Sequence, residues 1–289
     1  MPPPETTRFA PSPTGGLHLG HAYAAFFAAG AARATGGRFR FRIDDLDQSR
    51  CKARFEADFL ADMEWLGLGW DGPVRRQSAC LAEYRTALDD LSGRGVIYPC
   101  FCTRTDIERE TRGMASAPQG PDGPLYPGTC RELTPAERED RIAAGVAHAL
   151  RLDVSGALQT LGSPSLYFEE TGTGPAGETG LIAVRPDNLG DIVLGRKDTG
   201  VSYHLAVVLD DAHQDISLVT RGDDLHRATH VQRLLQSLLG LPTPRYRHHA
   251  LVRDAAGRRL AKRDREQTLA ALRAAGATPG ELRQRLGLG

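Results

Sequence analysis

The chain has 289 residues, 40% of them hydrophobic and 25% charged, which is typical of a globular protein and excludes a disordered or fibrous chain. Lysine plus arginine equals aspartate plus glutamate at 36 each, so a nucleic-acid partner would need a local basic patch. The N-terminus lacks the features of a signal peptide, and no apolar run could span a bilayer. We therefore expect a cytoplasmic protein without a membrane partner.

Strand-like and helical patterns alternate through the first hundred residues, as in proteins with a parallel sheet. Residues 7–12 predict a strand and turn, and the alanine-rich residues 19–34 predict a helix. Residues 38–47 alternate with a period of two and end in three carboxylates, which a strand would place at the edge of the sheet. Helical patterns at 52–66 and 80–93 and extended chain at 96–102 follow.

The middle of the chain changes in composition. Residues 112–128 and 155–180 are rich in small and turn-forming residues and predict loops, while the capping box that starts at Thr134 predicts a helix between them. Strand patterns return at 190–195, 202–211 and 215–224, and a helical pattern covers 228–240.

These patterns predict an α/β fold with a Rossmann-type parallel-sheet nucleotide-binding domain. Its two halves are predicted at residues 1–97 and 190–240. The residues between them, 98–189, look like an insertion, and residues 241–289 form a C-terminal segment that ends in a short helix.

The stretch GLHLGH lies where the first strand gives way to the first helix, and nucleotides bind at this edge of a parallel sheet. The N-terminus of a helix offers unpaired amides to phosphate groups, and His18 and His21 can donate further hydrogen bonds. Gly20 lets a flat base approach the backbone. An accidental match to His-x-Gly-His is common enough that the motif alone is not sufficient.

The surrounding segments make the pattern specific. In order, RFAPSPTGGLHLGH, RIDDLD, SYHLAVVLDD, VTRGDDL and RRLAKRD resemble the catalytic core of the glutamyl-tRNA synthetases of class I over nearly the whole chain. The resemblance implies that His18 to His21 is the first ATP signature. Residues 259–263 would be the second, a loop in which Arg259 and Lys262 contact ATP. Arg259 and Ala261 replace the lysine and serine usual in that loop, and Asp44 replaces the usual glutamate.

The same resemblance implies ATP and L-glutamate as substrates, with Mg²⁺ accompanying ATP. His18, His21 and Lys262 would act in catalysis by neutralising charge on the phosphates. Arginine can grip a carboxylate through two hydrogen bonds, which suits two of the positions in the implied glutamate pocket. That pocket consists of Arg8, Phe9, Ala10, Pro11, Ser12, Asp44, Tyr203 and Arg221, with Tyr203 offering its hydroxyl from a predicted strand.

The number of cysteines, five, and the lack of a secretory signal argue against a disulfide framework. Cys100, Cys102, Tyr126 and Cys130 could meet at a tetrahedral metal centre, although spacing alone leaves simple burial of reduced cysteines open. The segments CFC and YPGTCR resemble the zinc site of one branch of the family, which implies a structural Zn²⁺ in the insertion. Cys51 and Cys80 fall in helical patterns and are interpreted as structural.

The length of the chain after the second ATP signature suggests which group accepts the activated glutamate. The chain ends 26 residues after Arg263, whereas a full synthetase continues into domains that read the anticodon. The resemblance therefore narrows to a shortened branch that activates glutamate without tRNA. That branch esterifies glutamate to the cyclopentenediol of queuosine in the anticodon loop of tRNA(Asp). No apolar stripe demands a second copy, so a monomer is expected.

The segment at 245–265 is strongly basic and predicts contact with tRNA phosphates, with Arg245 and Arg247 as candidates. Three alternatives stay open: a shortened conventional glutamyl-tRNA synthetase, a non-catalytic tRNA-binding paralogue, and a small-molecule adenylyltransferase. The last explains neither RFAPSPTG nor the predicted insertion.

Overall fold

The structure is a computed structural model that describes residues 3–111, 119–120, 123–163, 165–252 and 268–288. The strands are β1 (Thr6–Phe9), β2 (Arg38–Ile43), β3 (Arg75–Arg76), β4 (Ile97–Cys100), β5 (Gln119–Gly120), β6 (Gly123–Pro124), β7 (Ala149–Leu152), β8 (Tyr167–Glu170), β9 (Gly180–Ala183), β10 (Val193–Gly195), β11 (Leu218–Gly222) and β12 (Arg245–His249). The helices are α1 (Leu19–Ala34), α2 (Ala53–Trp65), α3 (Leu81–Gly93), α4 (Arg104–Thr111), α5 (Pro135–Ala143), α6 (Val154–Thr160), α7 (Tyr203–His213), α8 (His226–Leu238), α9 (Leu269–Ala274) and α10 (Pro279–Arg285).

Parallel strands form the centre of the molecule. β1 pairs with β2 and β2 with β3, while β11 pairs with β12 and β12 with β8, all in parallel. The two groups lie side by side, because the amide of Ser217, just before β11, donates to the carbonyl of Thr6 at 3.0 Å. Adjacent parallel strands end at the same edge, so the residues after β1, β2 and β11 come together there. The α/β class and the parallel sheet that the sequence predicted are confirmed.

The segment 202–211, predicted as a strand, is helical in the structure and forms most of α7. Leu205, Ala206, Val207 and Val208 are all buried, because α7 packs against α8, α3 and β10. A short apolar run that is buried on every side carries no period that separates a helix from a strand. The prediction for this element was therefore wrong.

The middle of the chain is more ordered than its composition predicted. The interval 155–180 contains most of α6 and all of β8, and β9 begins at its end. β8 joins the parallel sheet through Tyr246, which pairs with Glu170. The predicted boundary between the insertion and the second half of the sheet, at 189, stays a prediction. The capping box at Thr134 and the helix it begins, α5, are confirmed.

The C-terminal helices pack on the first half of the fold. Leu269 and Leu282 are fully buried in the same apolar cluster as Phe26 of α1 and Phe41 of β2. Helices after the basic segment are thus part of the body that carries GLHLGH. Among the described residues, we find no helix with the length and apolarity needed to cross a membrane.

Candidate active site

His18 and His21 cap the first helix. The Nδ1 atom of His18 accepts a hydrogen bond from the amide of Gly20 at 3.1 Å, and Nδ1 of His21 accepts from the amide of His18 at 3.2 Å. Because both Nδ1 atoms accept, the neutral rings carry their proton on Nε2 and can donate from that atom. The ring centroids lie 3.9 Å apart, so the two imidazoles form one donor surface at the positive end of α1.

Gly20 has a steric role in this cap. A Cβ atom on Gly20 would lie 3.0 Å from Cε1 and 3.2 Å from Nδ1 of His18, closer than ordinary carbon contacts. The absence of a side chain therefore lets the His18 ring fold back over the helix end.

The residues that follow the basic segment lie beside these histidines. Thr268 forms a β-bridge with His18, and the amide of Leu269 donates to the carbonyl of Leu17 at 2.8 Å. Arg259, Lys262 and the other residues of the second ATP signature lie outside the described residues, so their roles stay predictions.

Arg8, predicted to bind glutamate, is held by a carboxylate of the protein itself. Its Nε and Nη2 atoms donate to the two oxygens of Asp211 at 3.0 and 3.3 Å, and Nη1 donates to the carbonyl of Thr220 at 3.1 Å. The guanidinium is buried, and two of its five N–H groups are left beyond these bonds. Asp211 therefore fixes the position of Arg8 and neutralises much of its charge.

Arg42 connects Asp211 to Asp44, another residue of the predicted glutamate pocket. Its Nε donates to Asp44 at 2.8 Å and its Nη1 to Asp211 at 2.7 Å, and its side chain is fully buried. Burial raises the pKa of Asp44 to about 6, although the Arg42 guanidinium opposes that rise. Charge pairing with Arg8 and Arg42 outweighs burial at Asp211 and lowers its pKa.

Arg221, the second predicted arginine, is bound by neutral side chains. Nη1 donates to Oε1 of Gln232 at 2.7 Å, Nη2 to the hydroxyl of Thr229 at 2.6 Å, and Nε to Nε2 of His248 at 3.2 Å. Among the described residues, no carboxylate forms an ion pair with this buried guanidinium. Arg221 thus carries a buried positive charge that suits an anionic ligand.

The other predicted pocket residues lie at the end of β1, in the turn that follows it and at the start of α7. Tyr203 is the first residue of α7, so its hydroxyl comes from the start of a helix and not from a strand as predicted. Phe9 and Pro11 are buried, Ala10 and Ser12 are partly buried, and the amide of Asp44 donates to the carbonyl of Pro11 at 3.0 Å. That bond joins the turn after β1 to the end of β2.

The cysteines predicted to bind metal come together at the end of β4. The sulfur atoms of Cys100, Cys102 and Cys130 all lie within 4.8 Å of one another, and the Cys102–Cys130 separation is 3.5 Å. The Tyr126 hydroxyl lies 3.5 Å from the Cys102 sulfur. A tetrahedral centre with Zn–S bonds of about 2.3 Å has sulfur atoms roughly 3.8 Å apart. Three sulfurs and a phenol oxygen at these distances fit such a centre.

The two basic candidates for tRNA contact lie on β12. Arg245 forms an ion pair with Glu5, and Nε of Arg247 donates to the hydroxyl of Thr171 at 3.1 Å. Both side chains are partly buried, and the contacts just described give each of them a partner within the fold. Their contact with tRNA stays a prediction.

Comparison with known proteins shows the family to which the chain belongs. The family model described as tRNA synthetases class I (E and Q), catalytic domain, matches residues 5–288. The chain belongs to the catalytic domain family of the class I synthetases for glutamate and glutamine.

Similarity to individual proteins supports the same family assignment. The chain is 50% identical over 287 residues to a protein of Rhodobacter capsulatus named glutamyl-Q tRNA(Asp) synthetase, covering 98% of this chain and 99% of that protein. It is 36% identical to glutamate–tRNA ligase 2 of Nitrosococcus oceani, covering 96% of this chain but 57% of that protein. A crystal structure of a glutamate tRNA ligase from Elizabethkingia meningosepticum in complex with its amino acid matches 90% of this chain and 52% of that chain. Its TM-score is 0.72 and its identity 26%.

Sequence reasoning missed residues that hold the two arginines of the candidate site. Asp211 stands in a run that was predicted as a strand, and His248 was grouped with the basic segment. Glu170, which binds His248, falls in a stretch predicted as a loop. The sequence feature that could have indicated such residues is the presence of charged or polar residues next to apolar runs, as in LAVVLDD.

Proposed function

We propose that this chain uses ATP to activate L-glutamate without tRNA and then transfers the glutamyl group to the cyclopentenediol of queuosine in the anticodon loop of tRNA(Asp). The observation that carries the choice of acceptor is the 50% identity, over nearly the full length of both proteins, to the relative named glutamyl-Q tRNA(Asp) synthetase. The chemistry is that of a ligase that forms an ester at a tRNA hydroxyl.

The geometry at the carboxyl edge of the sheet supports the activation step. In our proposal, Arg221 binds the side-chain carboxylate of glutamate, Asp44 binds its ammonium group, and Arg8 and Tyr203 complete the pocket. The His18 and His21 Nε2–H groups and the N-terminus of α1 bind ATP phosphates. Lys262 and Arg259 are assigned to ATP from the signature alone, and Mg²⁺ accompanies the nucleotide.

Two displacements then follow. An oxygen of the glutamate α-carboxylate attacks the α-phosphorus of ATP, the bond to the β-phosphate breaks, and pyrophosphate leaves. A diol hydroxyl of queuosine next attacks the carbonyl carbon of the adenylate and loses its proton. The bond from that carbon to the phosphate oxygen breaks, so that AMP leaves and an ester remains. The protein contributes alignment and charge stabilisation to both steps.

A structural zinc ion belongs to the proposal as well. Cys100, Cys102, Tyr126 and Cys130 would hold it, and the ion would clip β4 to the loop that carries Tyr126. The ammonium group of Lys197 donates to the carbonyls of Phe101 and Cys102 at 3.3 and 3.4 Å, which holds the backbone of this part of the proposed zinc site.

The test is incorporation of labelled glutamate into two tRNA pools, one containing queuosine and one from cells that cannot make it. We expect label in the queuosine-containing pool alone. Equal labelling of both pools would identify a shortened conventional synthetase instead. Absence of label together with absence of glutamate-dependent pyrophosphate exchange would identify a non-catalytic paralogue.

A further inference from the structure

A buried chain of side chains runs from β8 to the proposed glutamate ligand. Oε2 of Glu170 lies 2.5 Å from Nδ1 of His248, and Nε2 of His248 lies 3.2 Å from Nε of Arg221. The Glu170 and His248 side chains have no exposed surface, so water does not compete for these bonds.

The direction of each bond is fixed by chemistry. The Nε atom of arginine only donates, so Nε2 of His248 must accept and carries no proton. The proton of the neutral ring is then on Nδ1, where it is donated to Glu170. A doubly protonated His248 would place two N–H groups against each other at Arg221. Burial, consistent with this, lowers the pKa of His248.

Glu170 is itself held in one orientation. Its Oε1 atom accepts from the amides of Gly172 at 2.8 Å and His248 at 3.1 Å. Gly172 is needed here, because a Cβ atom on it would lie 2.7 Å from the His248 carbonyl oxygen and 3.0 Å from that same Oε1. Oε2 is therefore always the atom that faces His248.

The fixed orientation of His248 in turn helps to fix the orientation of Arg221. Its contacts with His248, Thr229 and Gln232 fix its plane without placing a carboxylate on it, in contrast to Arg8 and its partner Asp211. Gln232 adds a second donor, since its Oε1 accepts from Arg221 and its buried Nε2 has no partner among the residues that the structure describes. A fixed guanidinium and a spare amide N–H suit a carboxylate better than a neutral amide.

We propose that Glu170 and His248 are positioning residues that orient Arg221 and reserve its charge for the side-chain carboxylate of the substrate, and so favour glutamate over glutamine. This inference rests on the proposed function, in which Arg221 binds that carboxylate. Neither Glu170 nor His248 touches the substrate itself.

A metal ion is a poorer explanation of the same cluster. Donor atoms of Glu170, His226 and His248 lie within 4.8 Å of one another, which would suit a cation in isolation. However, both nitrogens of His248 are already used, and the Arg221 guanidinium beside Nε2 would repel a second positive charge.

The decisive variant is Glu170→Gln, which keeps the size of the side chain. The two backbone amides at Oε1 require the amide oxygen of the new glutamine, so its NH₂ group must face Nδ1 of His248. That donor moves the His248 proton to Nε2, where it opposes the N–H of Arg221. We expect the KM for glutamate in ATP–pyrophosphate exchange to rise about tenfold, as for loss of one hydrogen bond to a charged group, with kcat and the KM for ATP nearly unchanged. The preference for glutamate over glutamine in kcat/KM should fall by a similar factor.

A second pair of variants distinguishes a specific effect on glutamate binding from loss of folding. His248→Leu should raise the KM for glutamate at least as much, and His248→Gln, which can offer an acceptor to Arg221, should recover part of the affinity. Glu139→Gln and His213→Gln, exposed changes on α5 and α7, should leave every constant unchanged. Histidine ¹⁵N NMR of the whole protein should show the proton of His248 on Nδ1 in the wild type and on Nε2 in Glu170→Gln.

The outcomes separate the two proposals. A wild-type protein without glutamate-dependent exchange would overturn the proposed function and this inference with it. Exchange by the wild type with an unchanged glutamate KM in folded Glu170→Gln would overturn this inference alone. Equal rises in the KM for glutamate and ATP would also overturn it, because they would indicate general damage to the site.

Discussion

Asp44 supplies the carboxyl group among the proposed glutamate ligands, and its surroundings shift its pKa. Burial raises its pKa to about 6, and Arg42 keeps that rise from being larger. An aspartate binds an ammonium group only when it is ionised. Ionisation of Asp44 therefore increases as the pH rises through about 6, and the affinity for glutamate should increase with it.

We predict that the KM for glutamate in pyrophosphate exchange is roughly tenfold higher at pH 5 than at pH 7, because about a tenth of a group with a pKa of 6 is ionised at pH 5. The KM for ATP, measured in the same reactions, should change less. The Asp44→Asn variant should have a high KM for glutamate at both pH values and should lose this pH dependence. The same pH profile in Asp44→Asn and the wild type would show that another group controls it.

At the level of secondary structure, the sequence was informative wherever a pattern had a clear period or a clear end. The alternation in RFRFRI predicted β2, and the capping box at Thr134 predicted α5. The prediction for 202–211 failed because most residues of that run are buried, and β8 was missed because its flanks are rich in small residues. Candidate ligands such as Arg221 could be named, but Arg8–Asp211 and Glu170–His248 join residues 203 and 78 positions apart. Local patterns contain no information on such pairs.

The cysteine cluster joins β4 to the loop after β6, and its proposed metal gives a direct prediction. The wild-type protein, expressed with zinc supplied, should contain about one zinc ion per chain, as expected for a closed four-ligand site. Cys102→Ser should reduce that content to near zero and lower the melting temperature, because a structural metal contributes folding free energy. Elemental analysis and thermal unfolding measure both effects.

Cys51→Ser is the matched control, since Cys51 lies outside the cluster and just before α2. It should keep the zinc and the melting temperature of the wild type. Equal zinc content in Cys102→Ser and Cys51→Ser would show that the cluster does not hold the ion.

At the scale of the whole molecule, Arg42 ties the first half of the sheet to α7. Its fully buried guanidinium joins Asp44 after β2 to Asp211 near the end of α7, and Gln214 accepts a further bond at 3.2 Å. We predict that Arg42→Met lowers the free energy of unfolding by about 3–5 kcal/mol, since it leaves buried carboxylates without their partner. Urea unfolding followed by circular dichroism measures the change.

Arg38→Met on the same strand provides the comparison. Arg38 begins β2 and is exposed, so its replacement should change the free energy of unfolding by about 0.5 kcal/mol or less. Similar losses in the two variants would contradict a special role for the buried ion network.

That network also has a consequence for how the site can diverge among relatives. Arg8, Arg42 and Arg75 are linked in it to three buried carboxylates, Asp44, Asp210 and Asp211, so the buried positive and negative groups balance. Arg75 also pairs with Glu83, whose side chain is exposed. Replacing one member leaves an uncompensated charge in the interior, whereas replacing an arginine and its carboxylate together does not. These positions should therefore covary as pairs in lineages of this family. A lineage that changes how the substrate ammonium group is bound at Asp44 would have to acquire a compensating change at Arg42, so ammonium binding and the packing of α7 on the sheet would be inherited as one trait.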